Sequence, residues 1–193
     1  REMMETASPY ISISCMLLTA KVGSTIGPNL SSVVKAGPAL LLQEFGNLGT
    51  ALLALPFGVL VLHMGRTVVG SSFSISREGS IAVVSAKYGL DSDEGRGVLG
   101  GYITGTVLGT LFYGVMVSIL CGTNLFHPYA LAMACGTGSA SMMSASLGAC
   151  VDAFPEMAEE LQAYAATSNM LSSVDGLYMN LFIAIPTCQK EGI

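Results

Sequence analysis

One stretch constrains the fold of this chain more than any other, because it holds no charged residue over a length that can cross a bilayer. It runs from His127 to Val151, and about 20 apolar residues are enough for a helix to span the hydrocarbon. Its middle, Cys135 to Gly148, is nevertheless rich in Gly, Ala, Ser and Thr. Such a segment belongs in hydrocarbon or in protein, but something other than lipid must cover its small polar face.

This small polar face has two interpretations. In the first, it is a closely packed interface, since small residues let helix backbones approach and hydroxyls bond to neighbouring helices. In the second, the helix is interrupted at Gly136, Thr137 and Gly138, and the opened turn lines a binding cavity, as in secondary transporters. The sequence leaves both open.

The composition places the whole chain in a membrane. Of its 193 residues, 51% are hydrophobic and 11% are charged, whereas soluble domains carry about 25% charged residues. We therefore predict an all-α fold, a polytopic transmembrane helical bundle with discontinuous helices, in which residues 1–193 form a single membrane domain. A chain of this length makes roughly five to seven crossings. Because the first residue is Arg, we expect a truncated N-terminus, and the number of crossings stays open.

Charge and cysteine content argue against several classes of function. The formal net charge is −5 and no basic cluster is present, so we expect no binding to nucleic acid. The five cysteines form no C-x-x-C pair and have no histidine at ligand spacing, so we expect packing residues rather than a disulfide framework or zinc. No complete nucleotide-binding motif and no nucleophile elbow is found. We predict that the protein is not an enzyme and binds no cofactor or metal.

A second apolar segment is also interrupted, and this suggests an internal repeat. Gly27 and Pro28 break the segment near the N-terminus, because proline removes a backbone donor and glycine weakens a helix. Each break is rich in small and hydroxyl-bearing residues, and each is followed by an apolar span that ends at a proline. Repeat halves at 10–90 and 97–189 with inverted topology would explain both breaks, and chance similarity is the alternative.

In an inverted repeat the two breaks meet near the bilayer centre and form the binding site. Freed N–H groups at half-helix starts would hold an anionic group, and freed carbonyls a cation. The predicted solute-binding residues are those of the two breaks: Lys21, Ser24, Thr25, Asn29, Gly136, Thr137, Gly138, Ser139 and Ser141. For Lys21, snorkelling to the interface is an equal alternative.

Polar residues inside the other apolar spans are candidates for coupling to a proton or sodium ion. An ionisable residue in a membrane span is costly and therefore marks function by default. The candidates are Glu44, Asp175 and Asn180.

The clearest single span is Gly97 to Cys121, which is uncharged. Glycines recur along it every four residues, at 97, 101, 105 and 109. This repeated G-x-x-x-G pattern is typical of a close helix seam, and we favour a seam within one chain over a homodimer. The uncharged turn 122–127 that follows is expected on the outer side of the membrane.

The connector from Gly65 to Arg96 holds four of the eight basic residues. The positive-inside rule therefore makes it cytoplasmic. Within it, Ile81, Val84 and Tyr88 stand at helical spacing and predict a short amphipathic helix at the interface or part of a re-entrant hairpin. Asp91 to Glu94 matches an N-cap residue, Asp91, followed by an acid three residues on, and therefore predicts the start of the next helix.

Three segments resemble a bacterial family of multi-span inner-membrane proteins known as a numbered domain of unknown function. They are SISREGSIAVVSAKYGLDSDEGRGVLGGYITGTVLGTLFYG, HPYALAMACGTGSASMMSASLGA and SNMLSSVDGLYMNLF. The resemblance covers about Gly46 to Pro186 and implies no substrate. The paired breaks are more loosely similar to the cation:proton antiporter and anion transporter group, which includes amino-acid and organic-acid carriers.

Together these features predict a secondary active transporter of the bacterial inner membrane. Its solute would be a small polar or anionic metabolite such as an amino acid or organic acid, with Na⁺ or H⁺ as coupling ion, and homo-oligomerisation stays open. The alternative is a non-transporting scaffold or assembly subunit packed through the glycine ridge. A carrier brings polar atoms to a cavity, whereas a scaffold satisfies each hydroxyl on a neighbouring backbone.

Overall fold

The computed structural model describes residues 30–35, 37–71 and 77–179, together with Leu17, Phe182 and Pro186. Within this part of the chain the regular structure is all helical, with no strand, which confirms the all-α prediction. In chain order the helices are α1 (Leu30–Lys35), α2 (Gly37–Pro56), α3 (Thr67–Ser71), α4 (Arg77–Tyr88), α5 (Asp93–Thr104), α6 (Thr110–Thr123), α7 (Pro128–Cys135), α8 (Ala140–Ala153) and α9 (Ala158–Met179).

Helices α5 and α6 form one continuous helix, Asp93–Thr123, with a π-helical segment at Gly105–Gly109 between them. Among the described residues it is the one helix that is long and apolar enough to cross a membrane. Only 6% of its most apolar window is buried, unlike the core helix of a soluble protein. This helix contains the predicted span from Gly97 to Cys121, while the further crossings of a polytopic bundle stay a prediction.

Threonine hydroxyls accompany the π-helical segment. Thr106 donates to the carbonyl of Tyr102 at 2.7 Å, and Thr110 donates to the carbonyl of Thr106 at 2.6 Å. Hydroxyls that bond to the carbonyl four residues back compete with the main-chain ladder and widen or bend a helix. A second π-helical segment, Phe57–Val61, follows Pro56 at the end of α2, where proline cannot donate to the ladder.

The ends of the helices follow from local residue chemistry. α4 ends before Gly89, whose φ is +81°, and α6 ends at Asn124, whose φ is +50°; glycine and asparagine tolerate this left-handed conformation best. α5 starts after Ser92, whose hydroxyl accepts from the Gly95 N–H at 3.0 Å. The predicted helix start within Asp91 to Glu94 is therefore confirmed, but the capping residue is Ser92 and not Asp91.

The first half of the glycine ridge packs inside the chain against the short helix α3. A Cβ built on Gly97 would overlap the main chain of Thr67, and one built on Gly70 would overlap the main chain of Glu94 and Val98. The contact holds part of the predicted connector against α5, which the sequence did not predict. An ion pair between exposed Arg66 and buried Glu94, at 2.8 Å, lies at the same junction.

The main core lies between the last four helices. α6 packs along α8, and α7 packs along α9. The buried side chains of this core are Val117, Cys121, Leu131, Ala132, Cys135, Cys150, Leu161 and Tyr164. Three of the five cysteines are thus buried, free thiols, in agreement with their prediction as packing residues.

Candidate solute-binding site

The predicted interruption in the charge-poor stretch is present. α7 ends at Cys135 and α8 begins at Ala140, so residues 136–139 form a non-helical turn. A Cβ built on Gly136 would lie 2.5 Å from both the Ala165 carbonyl oxygen and Ser168 Oγ. Glycine at this position therefore lets the turn approach the backbone of α9 closely.

Two side chains of α9 hold this turn. The buried Asn169 donates through Nδ2 to the carbonyls of Gly136, at 3.0 Å, and Gly138, at 2.7 Å. Ser168 Oγ donates to the carbonyl of Met133 at 2.7 Å. Carbonyls at the end of a helix lack partners within it, and α9 supplies donors to these three. The Met133 carbonyl also accepts from the Gly136 N–H at 3.0 Å. The turn is consequently fixed by protein groups, and each of these carbonyls already accepts at least one hydrogen bond.

Gln43 of α2 contacts the same part of α9 that holds the turn. Its Nε2 donates to Ser168 Oγ and lies 3.4 Å from Ser172 Oγ. Its Oε1 is fully buried and, in the described part of the chain, has no hydrogen-bond partner. We call Gln43, Ser168, Asn169, Ser172 and the turn 136–139 the polar junction, because these groups connect α2, α9 and the interrupted helix.

The predicted solute-binding residues of the second break divide between this junction and local bonds. Gly136 and Gly138 belong to the junction through their carbonyls. Thr137 donates its hydroxyl to the Ala134 carbonyl at 2.8 Å. Ser139 and Ser141 hydrogen-bond to each other at 3.0 Å. Although Ser139 stands at the start of α8, its side chain makes no capping bond to that helix.

The residues predicted for the first break cannot be placed. Lys21, Ser24, Thr25 and Asn29 lie outside the described residues, as does Asn180. For two further candidates, Glu44 in α2 and Asp175 in α9, the backbone is described and the side chain is not. The meeting of the two breaks, and with it the inverted repeat, stays a prediction.

The hydroxyls that follow the turn are satisfied within their own helices. In α8, Ser144 donates to the Ala140 carbonyl at 2.8 Å and Ser146 to the Met142 carbonyl at 2.7 Å. In α9, Thr167 donates to the Ala163 carbonyl at 2.8 Å. Such bonds to the carbonyl four residues back are ordinary for serine and threonine in helices. These hydroxyls therefore bond neither to a neighbouring helix, as the packed-interface interpretation predicted, nor to groups that line a cavity.

A second polar contact ties the starts of α7 and α9 together. His127 Nδ1 accepts from the Tyr129 N–H at 3.3 Å, and the Tyr129 hydroxyl donates to the Glu160 carboxylate. The Tyr129 ring also lies 4.8 Å from the Tyr164 ring, centroid to centroid. The contact fixes α7 relative to α9 at the end away from the interrupted turn.

Sequence reasoning did not select Gln43, Ser168, Asn169 or Ser172. One signal was available for the last three, because Ser172 stands four residues after Ser168 and three after Asn169, and side chains at these spacings are neighbours on a helix surface. They stand in an alanine-rich helix, where a polar group at such spacing is conspicuous. No comparable signal distinguishes Gln43 from the neighbouring Glu44, since the contact with α9 depends on tertiary packing.

The described part of the chain is thus all helical, with one helix long and apolar enough to cross a membrane and one interrupted helix held by its neighbour. The chain belongs to the family described as protein of unknown function (DUF3100), whose family profile matches residues 1–191. This confirms the resemblance to a family of unknown function and extends it beyond Gly46 to Pro186. No curated protein and no solved structure matches the chain.

Proposed function

We propose that this protein is a multi-pass membrane transporter for a small polar solute, with its binding site at the polar junction. The observation that carries the proposal is the interrupted helix at the turn 136–139, which Gln43 joins through Ser168 while its own Oε1 has no partner among the described residues. Secondary transporters form their sites from interrupted helices near mid-membrane. Buried polar atoms of a packed structure, in contrast, normally have partners.

Exposed apolar side chains support the placement in a membrane. On the helix Asp93–Thr123, Ile103, Val107, Leu111, Val115 and Ile119 are each about 60% exposed, and their spacing of four residues puts them on one side of the helix. Exposure of such a surface to water is unfavourable. Exposure to lipid is not, because lipid tails are as apolar as these side chains. Further large exposed apolar residues occur on α2, among them Leu42, Phe45 and Leu53.

The orientation proposed is the one with the connector 65–96 in the cytoplasm of a bacterial cell. Arg66, Lys87 and Arg96 of this connector are exposed, as expected of basic residues that face the cytoplasmic side. The helix Asp93–Thr123 would then carry the chain to the outer side at residues 124–127.

The solute class proposed is an amino acid or an organic acid. Backbone N–H groups at the start of α8 favour a carboxylate, and Ser139 does not occupy them with a side-chain capping bond. Glu44 and Asp175 are proposed to couple transport to H⁺ or Na⁺, since each is an acid on a helix that contributes to the junction.

Reconstitution tests the proposal. Protein in liposomes should take up one or more radiolabelled amino acids or organic acids faster than empty liposomes. Asn169→Ala, which removes both bonds to the turn, should abolish that uptake. Ser118→Ala is the matched control, because the exposed Ser118 bonds only to the Gly114 carbonyl in its own helix. Folded protein that takes up none of these solutes would contradict the proposal.

A second candidate is a non-transporting membrane scaffold, favoured by Ser168 and Asn169 of α9, which donate to main-chain carbonyls of the neighbouring interrupted helix. In that case the exposed face of Asp93–Thr123 contacts another protein rather than lipid alone. A scaffold would show no uptake and would form an oligomer in detergent that Val107→Arg or Leu111→Arg dissociates.

A further inference from the structure

We infer that Gln43 Oε1 accepts a hydrogen bond from the solute, so that the protein selects solutes with an ammonium, amide or hydroxyl group over anions that offer acceptors only. The inference rests on the proposed transport function and specifies its substrate class.

The orientation of the Gln43 amide follows from its neighbour. Ser168 has a single hydroxyl proton, which it donates to the Met133 carbonyl at 2.7 Å. Toward Gln43, Ser168 Oγ can therefore only accept, and the group facing it must be the amide nitrogen Nε2. The oxygen Oε1 is consequently the end of the amide that no described residue satisfies.

Burial makes this unsatisfied oxygen informative. Oε1 has lost its access to water, and the side chains around the amide are buried as well, with Ser168 0% and Ser172 2% exposed. A buried acceptor without a donor is unfavourable, because it has given up its bonds to water without replacement. A solute that brings a donor gains this bond with no further loss of hydration at Oε1, whereas a solute without a donor leaves the oxygen unsatisfied.

Three solutes with the same four-carbon dicarboxylate skeleton test the inference. Aspartate carries an ammonium group and malate a hydroxyl group, whereas succinate at pH 8 has acceptors only. Each solute is added separately to purified full-chain protein in detergent, and the melting temperature is measured. The solute concentration is about 100 times that needed for half-saturation, or the highest soluble one. We expect aspartate or malate, but not succinate, to raise the melting temperature.

One variant and its control connect this selectivity to Gln43. Gln43→Met keeps the length of the side chain and removes the amide, so the affinity for the stabilising solute should fall at least tenfold. The control Ser118→Ala should bind as the wild type does.

The outcomes separate this inference from the proposed function. If succinate stabilises the protein as well as malate and aspartate do, the inference is wrong and a carrier of organic acids still stands. If a donor-bearing solute binds Gln43→Met unchanged, the inference is also wrong. If none of the three stabilises the wild type, the inference is wrong, and if liposomes also show no uptake of any solute, the proposed function fails with it. The comparison of solutes needs only wild-type protein, so it decides even where Gln43→Met does not fold.

Discussion

Glycine at position 136 shows how one residue determines the interrupted helix. Its missing Cβ lets the turn contact the Ala165 carbonyl and the Ser168 side chain, and this approach brings Asn169 within bonding distance of the Gly136 and Gly138 carbonyls. Gly148 lies in α8, and a Cβ added there would meet nothing within 4 Å. Glycine is therefore required for packing at position 136, whereas at position 148 it only lowers the stability of the helix.

Gly136→Ala should destabilise the protein by about 1–3 kcal/mol, because the added methyl group overlaps a carbonyl and a buried serine. Gly148→Ala should stabilise it by about 0.5–1 kcal/mol, because alanine is the better helix former in open space. Thermal unfolding in detergent measures both. Equal effects of the two substitutions would contradict the close packing at Gly136.

A second prediction for single residues concerns Glu44 and Asp175, the two acids proposed to couple transport to an ion. Glu44→Gln and Asp175→Asn should weaken the dependence of uptake on a proton or sodium gradient, since each substitution removes the charge that would bind the ion. Uptake by reconstituted protein with and without an imposed gradient measures the effect. Wild-type uptake by both variants would remove these residues from the coupling mechanism.

At the scale of elements, close backbone contact joins α3 to α5. Gly97 and Gly70 face the main chain of the opposite helix, and the four-residue glycine spacing predicted such a seam. The helix that fills it was not predicted, because α3 is only five residues long and lies in a connector that looked polar. Short helices have little periodicity of their own and depend on tertiary packing.

Substitution at the seam distinguishes this contact from the rest of the ridge. Gly97→Ala should destabilise the protein by about 1–3 kcal/mol, because its methyl group overlaps the Thr67 main chain. Gly100→Ala, in the same helix with nothing within 4 Å, should be neutral or stabilise by up to about 1 kcal/mol. Thermal unfolding compares the pair, and a neutral Gly97→Ala would exclude the seam.

At the scale of the whole molecule, the proposed orientation rests on the exposed face of Asp93–Thr123 and on the basic connector. Exposed apolar residues cover the helix between positions 103 and 119, while exposed bases stand at its start. Lipid around the helix and cytoplasm at the connector satisfy both features. Soluble protein with this surface would be expected to aggregate.

Single cysteines test this orientation in intact cells. Lys87→Cys should react with a membrane-impermeant maleimide only after the cells are opened, whereas Leu125→Cys should react in intact cells. Both side chains are exposed, so a difference in labelling reports the side of the membrane. Cys15 and Cys188 are replaced by serine, and the three buried thiols remain. Labelling of both positions from the same side would contradict a crossing by Asp93–Thr123.

The sequence by itself determined the helical class, the membrane-length helix and the interruption near Gly136. These features depend on residues close together in the chain: runs without charge, glycine spacing and the small residues of one stretch. The same reasoning predicted capping near Asp91 to Glu94, because a helix start is also local.

Only the tertiary structure decided which groups meet at the interrupted helix. Gln43 and Ser168 are 125 positions apart, and Asn169 bonds to carbonyls more than 30 positions before it. No local pattern encodes such pairings, because they depend on how α2, α9 and the turn pack in space. The side chains that hold the turn, and the one buried oxygen that stays unsatisfied among the described residues, follow from that packing.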